Sequence, residues 1–410
     1  MRNVSRVAVA VAAVASLILV SACGSSSKPA ASASGGGNAA TGAPINVYFL
    51  NAQGSSTAVS FPEATETAQA AVSHINKDLG GINGRPIKMS TCFTDETPAT
   101  TTKCANEAVA AKPDVIIEGT GSLDNVAATI AEKAGIPFII YSGSTQASNA
   151  FRFTDDQLGP IVAAGILAKQ KGLTSLGAVV LDYPIVTNAA TEAAPALKKI
   201  GIDLRTSLVE FGTADQSAQW QALTSKNPGA LMLVEDPNSC VASVKAKSTL
   251  GFSGLFIIDA ACDSPAVHSA AGNSLDGTLV IASTAAADTT SPDVKEYMTA
   301  LQKYSPEVVS KGLAGSPNAS NSFIDFMTLY QVLKTVKDPS TINASVVTSS
   351  FRAAKALPLF MGGGATFTCD GKQVPKLPAL CSFVQTYGTY ANGKTTYGGS
   401  LGDKLVSAMG

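Results

Sequence analysis

The chain has 410 residues, 29 basic and 30 acidic side chains, and a formal net charge of −1. A leader holding Arg2 and Arg6 takes two of the basic groups with it and leaves 27 against 30, which gives no basic footprint for nucleic acid. Roughly 365 residues lie beyond position 44, more than one ordinary core holds and enough for two lobes.

Arg2 and Arg6 precede an apolar run from Val7 to Val20, too short for a mature membrane span and suited to a secretion signal. The run ends in Val20-Ser21-Ala22-Cys23, which resembles the lipobox of bacterial lipoproteins. That resemblance implies a signal peptide over 1–22 and a lipid on Cys23, which anchors the protein to the outer face of the cell membrane. A plain cleaved signal peptide is the alternative, and either way the mature protein lies outside the cytoplasm. Residues 23–44, mostly Ser, Ala and Gly, have little to bury and read as a flexible tether. No second apolar segment of spanning length follows, so the chain is not expected to be a membrane receptor itself.

The folded part opens with a strand, Ile45 to Leu50, and a helix from Pro62 whose stripe is Ala64, Ala68, Ala71, Val72, Ile75 and Leu79, stopped at Gly80-Gly81. A strand from Ile87 to Ser90 and a helix from Thr97 to Ala111 follow. Two short apolar runs, Val115 to Ile117 and Phe138 to Tyr141, read as buried parallel strands. Between them lies a helix with Asp124 and Asn125 as cap candidates, apolar Val126, Ile130 and Ala134, and a stop at Gly135 and Pro137.

The alternation resumes after Phe151-Arg152-Phe153. Helices are expected over Gln157–Lys171, Thr187–Ile200, Gln216–Ser225 and Cys240–Leu250. Strands are expected over Leu176–Leu181, Asp203–Glu210, Ala230–Val234, Leu255–Ile258 and Thr278–Ala282. Strands alternating with such helices imply right-handed βαβ units, and two runs of them imply two doubly wound α/β lobes.

With Cys23 assigned to lipid, six of the seven cysteines remain, in local couples: Cys92 with Cys104, Cys240 with Cys262, Cys369 with Cys381. An oxidising exterior favours three disulfides, although six cysteines allow fifteen connectivities. Metal binding is the competing use, but no C-x-x-C occurs and the chain has only two histidines.

Each strand of the 113–146 stretch empties into a loop of glycine and hydroxyl residues: Gly119-Thr120-Gly121-Ser122 and Ser142-Gly143-Ser144-Thr145. In open α/β sheets ligands sit beyond the carboxyl ends of the strands, so these loops read as half of a small-molecule site. Helix capping is the competing role of the hydroxyls, and the two can coexist.

Several segments resemble the type I periplasmic binding proteins of ABC importers, especially the branched-chain amino-acid-binding group. They are the helix and Gly-Gly-Ile-Asn-Gly-Arg turn over 70–89, the helix entry over 95–109, the Asp-x-Ser-x-Gln helix and Asn-Pro-Gly-Ala strand entry over 210–234, and the hairpin and last strand over 362–394. The likeness covers nearly everything from residue 45 on. It implies two doubly wound Rossmann-like lobes joined by three crossovers, lobe one over 45–154 plus 284–379 and lobe two over 155–283 plus 380–410, closing on ligand like a hinged trap.

In amino-acid-binding members of the family, the loops matching Gly121-Ser122 and Gly143-Ser144-Thr145 hold the ligand carboxylate. The resemblance therefore assigns Gly121, Ser122, Gly143, Ser144 and Thr145 to it, through hydroxyls and main-chain amides. An acidic partner for an α-ammonium is sought in lobe two, where Asp259 and Asp263 flank Ala260 and Ala261. Glu235 and Asp236 are further candidates, or solvated acids at a helix entry. Tyr183, or the better-aligned Val186, supplies an aromatic or apolar wall, and Phe61 either packs on ligand or staples the first helix.

The expected function is capture of a small polar solute, an amino acid or a related carboxylate or amide, by a monomer that delivers it to an ABC permease. No phosphate-loop signature occurs, so separate ATPase subunits would hydrolyse ATP, and no cofactor is expected. A ligand-sensing lipoprotein serving a membrane signalling receptor is the alternative use of the same fold. A secreted hydrolase is the competing class. Its single G-x-S-x-G match, Gly398-Ser400-Gly402, lies in the tail with no histidine after it, and His74 and His268 belong to no metal or triad pattern.

Overall fold

Short apolar runs set two sheets. The computed structural model describes residues 40–54, 60–121, 123–141, 143, 145–374 and 377–409. The signal, Cys23, most of the tether, Ser122 and Ser144 lie outside the described residues.

The first sheet contains β1 (Ile45–Ala52), β2 (Ile87–Thr94), β3 (Val115–Thr120), β4 (Phe138–Ile139) and β5 (Ala150–Phe151), in the order β2-β1-β3-β4-β5 and parallel throughout. Its connections are α1 (Pro62–Lys77), α2 (Pro98–Ala111) and α3 (Asp124–Lys133). Strand alternation divides its core into two layers. Val47, Phe49, Val115 and Ile117 pack against Ala68, Ala71 and Ile75 of α1, while Leu50 and Ile116 face Ala105, Ala108, Ala127 and Ala131 of α2 and α3.

The chain then leaves through α4 (Leu158–Gln170) and builds the second sheet from β6 (Ser175–Leu181), β7 (Asp203–Val209), β8 (Ala230–Val234), β9 (Leu255–Asp259) and β10 (Leu279–Ala282). Their connections are α5 (Pro184–Lys199), α6 (Ser217–Thr224), α7 (Pro237–Leu250) and α8 (Pro265–Ala271). Ala178 and Val180 pack under α4 and α5, and Val179 faces Trp220 of α6 and Val244 of α7.

After β10 the chain returns to the first lobe as α9 (Pro292–Tyr304), α10 (Pro306–Ser310), α11 (Pro317–Leu333), α12 (Ala344–Ala353) and a small hairpin, β11 (Leu357–Pro358) and β12 (Thr366–Phe367). Phe323 and Phe326 of α11 and Phe351 of α12 enter the core with Phe49 and Phe151. It crosses once more into β13 (Thr386–Ala391), β14 (Lys394–Ser400) and α13 (Gly402–Met409). The second sheet thus runs β14-β13-β10-β9-β8-β6-β7, with β13 and β14 antiparallel at one edge.

The first and third passages between lobes lie side by side. Arg152 and Leu380 form an isolated bridge, in which the Arg152 amide donates to the Ala379 carbonyl and the Cys381 amide to the Arg152 carbonyl. The Arg152 guanidinium, nearly fully buried, reaches the Gly143 carbonyl and lies 2.9 Å from the Asp155 carboxylate. Asp155 Oδ1 in turn accepts the amides of Gln157, Leu158 and Gly159 at the start of α4. One ion pair therefore joins a ligand-loop candidate, the passage and the second lobe's first helix. Disulfides join Cys92 to Cys104, Cys240 to Cys262 and Cys369 to Cys381.

Some boundaries differ from the sequence reading. The N-cap of α3 is Leu123, without a side-chain cap, so Asp124 and Asn125 already lie in the first turn. Helices α5 and α7 start three residues earlier than their apolar patterns, at Pro184 and Pro237, because proline suits the first helical position. β4 ends at Ile139, and the pair Ala150–Phe151 adds an edge strand beside it.

Candidate functional site

A cavity of about 260 Å³ lies between the carboxyl ends of the two sheets. From the first sheet come Ala52, Thr120, Gly121 and Tyr141; from the second come Leu181, Val234, Glu235, Asp259, Ala282 and Ser283. Strand ends supply this cavity because loop residues there are released from the ladder while the sheets hold them in place.

The first lobe's wall is fixed by neutral hydrogen bonds. The Tyr141 hydroxyl donates to Asn318 Oδ1 at 2.8 Å, and Asn318 Nδ2 donates to Glu63 Oε1 at 3.1 Å. Burial pushes the Glu63 carboxyl above its ordinary range, and the Asn318 bond opposes that shift. Asn51, fully buried on β1, donates from Nδ2 to the Phe61 carbonyl at 2.8 Å and accepts from the Thr120 hydroxyl at 2.7 Å, tying the loops after β1 and β3 together. Gly121 is held close to Glu118, whose Oε1 lies 2.3 Å from where a Cβ would stand.

The second lobe's wall carries buried acids. Asp156 receives Asn321 Nδ2, and burial pushes it up to about 6. Asp259, 7 % exposed, accepts the Cys262 amide at 3.1 Å; burial first, then the neighbouring Glu235 and Asp156, raise it well above its ordinary value. Glu235 is 4 % exposed and neither carboxylate oxygen has a hydrogen-bond partner. Burial pushes it up to about 8, tempered by the nearby Ser243 hydroxyl and Gln216 amide. Asp236 is occupied at the start of α7, accepting the Asn238 and Ser239 amides. Asp263 accepts from Thr395 Oγ1 at 2.7 Å and pairs with His268 at 2.6 Å.

A hydrogen bond from the rim of one lobe to the rim of the other spans the cleft. Tyr183, the N-cap of α5 on the second lobe, donates its hydroxyl to Glu96 Oε2 at 3.3 Å, and Glu96 stands between β2 and α2 on the first. Phe211 meets the Tyr183 ring edge-on with centroids 5.6 Å apart.

A family profile described as periplasmic binding protein matches residues 44–380. The chain belongs to that family. Membership implies an extracytoplasmic location. This binding protein is similar in fold to the leucine-binding protein of Thermotoga maritima, with a TM-score of 0.65 and 16 % identity over 87 % of this chain and 98 % of that one. It is also similar to the branched-chain amino acid transporter substrate-binding protein of Streptococcus pneumoniae, solved with isoleucine (TM-score 0.63, 16 % identity, covering 87 % and 99 %). A fatty acid ABC transporter substrate-binding protein from Thermomonospora curvata gives a TM-score of 0.69 at 13 % identity over 90 % and 95 % of the two chains. Comparison with curated proteins by sequence returns no match. The α/β two-lobe fold is therefore the type I periplasmic-binding-protein fold.

In this binding protein Phe61, Gly121, Tyr183, Glu235 and Asp259 line the cavity, as do Asp236, Asp263, Val186, Ala260 and Ala261. Gly143 and Thr145 are not among its described lining residues. Gly143 gives its carbonyl to Arg152 at a positive φ of 79°, and Thr145 Oγ1 accepts the Ala147 amide at 3.2 Å. Sequence reasoning missed Asp156, Tyr141, Asn318 and Phe211 on the lining. Two adjacent acids, Asp155 and Asp156, following Phe151-Arg152-Phe153 were a signal for Asp156, because acids inside an apolar stretch need a partner or a ligand.

Among the described residues no cluster of His, Cys, Asp and Glu is arranged to hold a metal ion. Both histidine rings are engaged by carboxylates, His74 by Asp78 at 3.0 Å and Glu296 at 2.9 Å, and His268 by Asp263. Ser400 closes β14 as an exposed residue.

Proposed function

We propose that this protein is the solute-binding component of an ABC importer. It captures a small polar solute of amino-acid size between its lobes and hands it to a permease driven by separate ATPase subunits. The observation that carries the reading is the cavity at the facing strand ends, bridged by the Tyr183–Glu96 hydrogen bond. A cavity shared by two lobes lets a solute stabilise the closed form, which is how binding shifts such an equilibrium. The neighbours bind solutes as different as isoleucine and fatty acids, so the fold alone does not choose among them.

In this reading the protein is a monomer and not an enzyme, the histidine rings serving as partners for carboxylates. The Cys23 lipid and the tether keep it at the membrane beside its permease. Small-angle X-ray scattering with a solute found by thermal-shift screening tests the trap: the expected result is a smaller radius of gyration on binding. Unchanged dimensions with a confirmed ligand would sink it. Mass spectrometry of the amino-terminal peptide tests the anchor, the expected mass being that of an acylated Cys23.

A further inference from the structure

We infer that the solute carries a net positive charge, and that its cationic nitrogen is received by Asp156, Glu235 and Asp259 at the second lobe's strand ends. The inference rests on the solute-binding reading and names the charge class of what enters the cavity. Seven acids stand on the lining: Glu63, Glu96, Asp156, Glu235, Asp236, Asp259 and Asp263. No lysine, arginine or histidine is among the described lining residues. Asp156, Glu235 and Asp259 form no ion pair with any described residue, although Asp156 and Glu235 are both close enough to raise Asp259 by repulsion. Glu235 states the need most plainly, because it is more than nine-tenths buried on the cavity wall with both carboxylate oxygens unpartnered. A buried carboxyl without a partner is costly, and a cation with hydrogen-bond donors removes that cost.

The opposite charge fares badly in this cavity. Helices α1, α5, α7, α8 and α11 begin beside it, and helix starts attract anions; each starts with proline, which removes one first-turn N–H, while at α1, α5 and α11 the remaining first-turn amides carry no side-chain cap. At α7 and α8 the Asp236 and Ser264 side chains already take free amides of the first turn. A helix end offers about half a charge, whereas an acid that a bound cation ionises offers a full one. Phe61, Tyr183 and Phe211 add ring surface of the kind that receives an organic cation.

Calorimetric titration of the ectodomain with agmatine, putrescine and arginine, set against leucine, isoleucine and decanoate, tests the inference. The expected result is one-to-one binding of at least one cation, at least tenfold tighter than any of the other three. Glu235→Gln should weaken that binding tenfold or more while its ligand-free melting temperature stays equal or rises, a split that a merely structural Glu235 would not give. Leucine, isoleucine or decanoate binding as tightly as the cations overturns the inference and leaves the solute-binding reading intact. Absence of binding by all three cations, or unchanged affinity in Glu235→Gln, also overturns it, and the solute-binding reading is then judged by the scattering test.

Discussion

On the first lobe's wall the acids meet neutral donors: Glu63 takes the Asn318 amide and Glu96 the Tyr183 hydroxyl. On the second lobe's wall Asp259 has one backbone amide and Glu235 has no hydrogen-bond partner, although both are more deeply buried than a lone carboxylate tolerates. The first wall's acids are satisfied within the protein, Glu96 by a hydroxyl that the second lobe supplies, whereas Glu235 on the second wall is left for a guest to complete. On the inference drawn above, the second lobe supplies the solute's charge preference.

The largest effect is expected where the lobes join. Arg152→Ala leaves Asp155 buried and unpaired and frees the Gly143 loop, so it should lower stability by about 3–5 kcal/mol in urea unfolding. Acidity sharpens the contrast between the walls. The folded-state values of Glu235 (about 8) and Asp156 (about 6) lie above their ordinary 4.5 and 3.8. The folded state therefore holds these protons more tightly, so their contribution to stability is full below the ordinary values. It is lost as pH rises through 4.5 to 8 for Glu235 and 3.8 to 6 for Asp156. The groups facing Glu235 are Asp236, Asp259, Ser243 and Gln216, none of them a cation. The ligand-free protein should thus lose up to a few kcal/mol between pH 5 and pH 8, and Glu235→Gln should flatten that decline in melting experiments.

A smaller effect probes the first wall. Gly121→Ala drives a Cβ to 2.3 Å from Glu118 Oε1 and should cost about 1–3 kcal/mol, displacing the loop and weakening solute binding in titration. The smallest concerns the bridge between the walls. Tyr183→Phe removes the hydroxyl bound to Glu96, a loss of about 1 kcal/mol. Scattering from the ligand-free variant should show larger dimensions than the wild type.

The sheets were legible because their strands are short apolar runs buried on both faces: Val115–Ile117 and Ala230–Val234 have no solvent-facing positions to blur the pattern. Helix starts were less legible where apolar spacing was followed instead of proline, as at Pro184 and Pro237. The return of α9–α12 to the first lobe was not readable from periodicity, since an apolar stripe says that a helix packs and not on which sheet. For the site, strand-end position exposed Gly121, Glu235 and Asp259. Tyr141, Asp156 and Asn318 reach the cavity from a loop end, a crossover and the distant α11, and only folding brings them together.

Native mass spectrometry of the ectodomain, purified without refolding and followed by release and identification of any retained small molecule, shows the charge of the natural solute. The expected result is a one-to-one complex with a small organic cation, lost in Glu235→Gln. A retained fatty acid or other anion would contradict it.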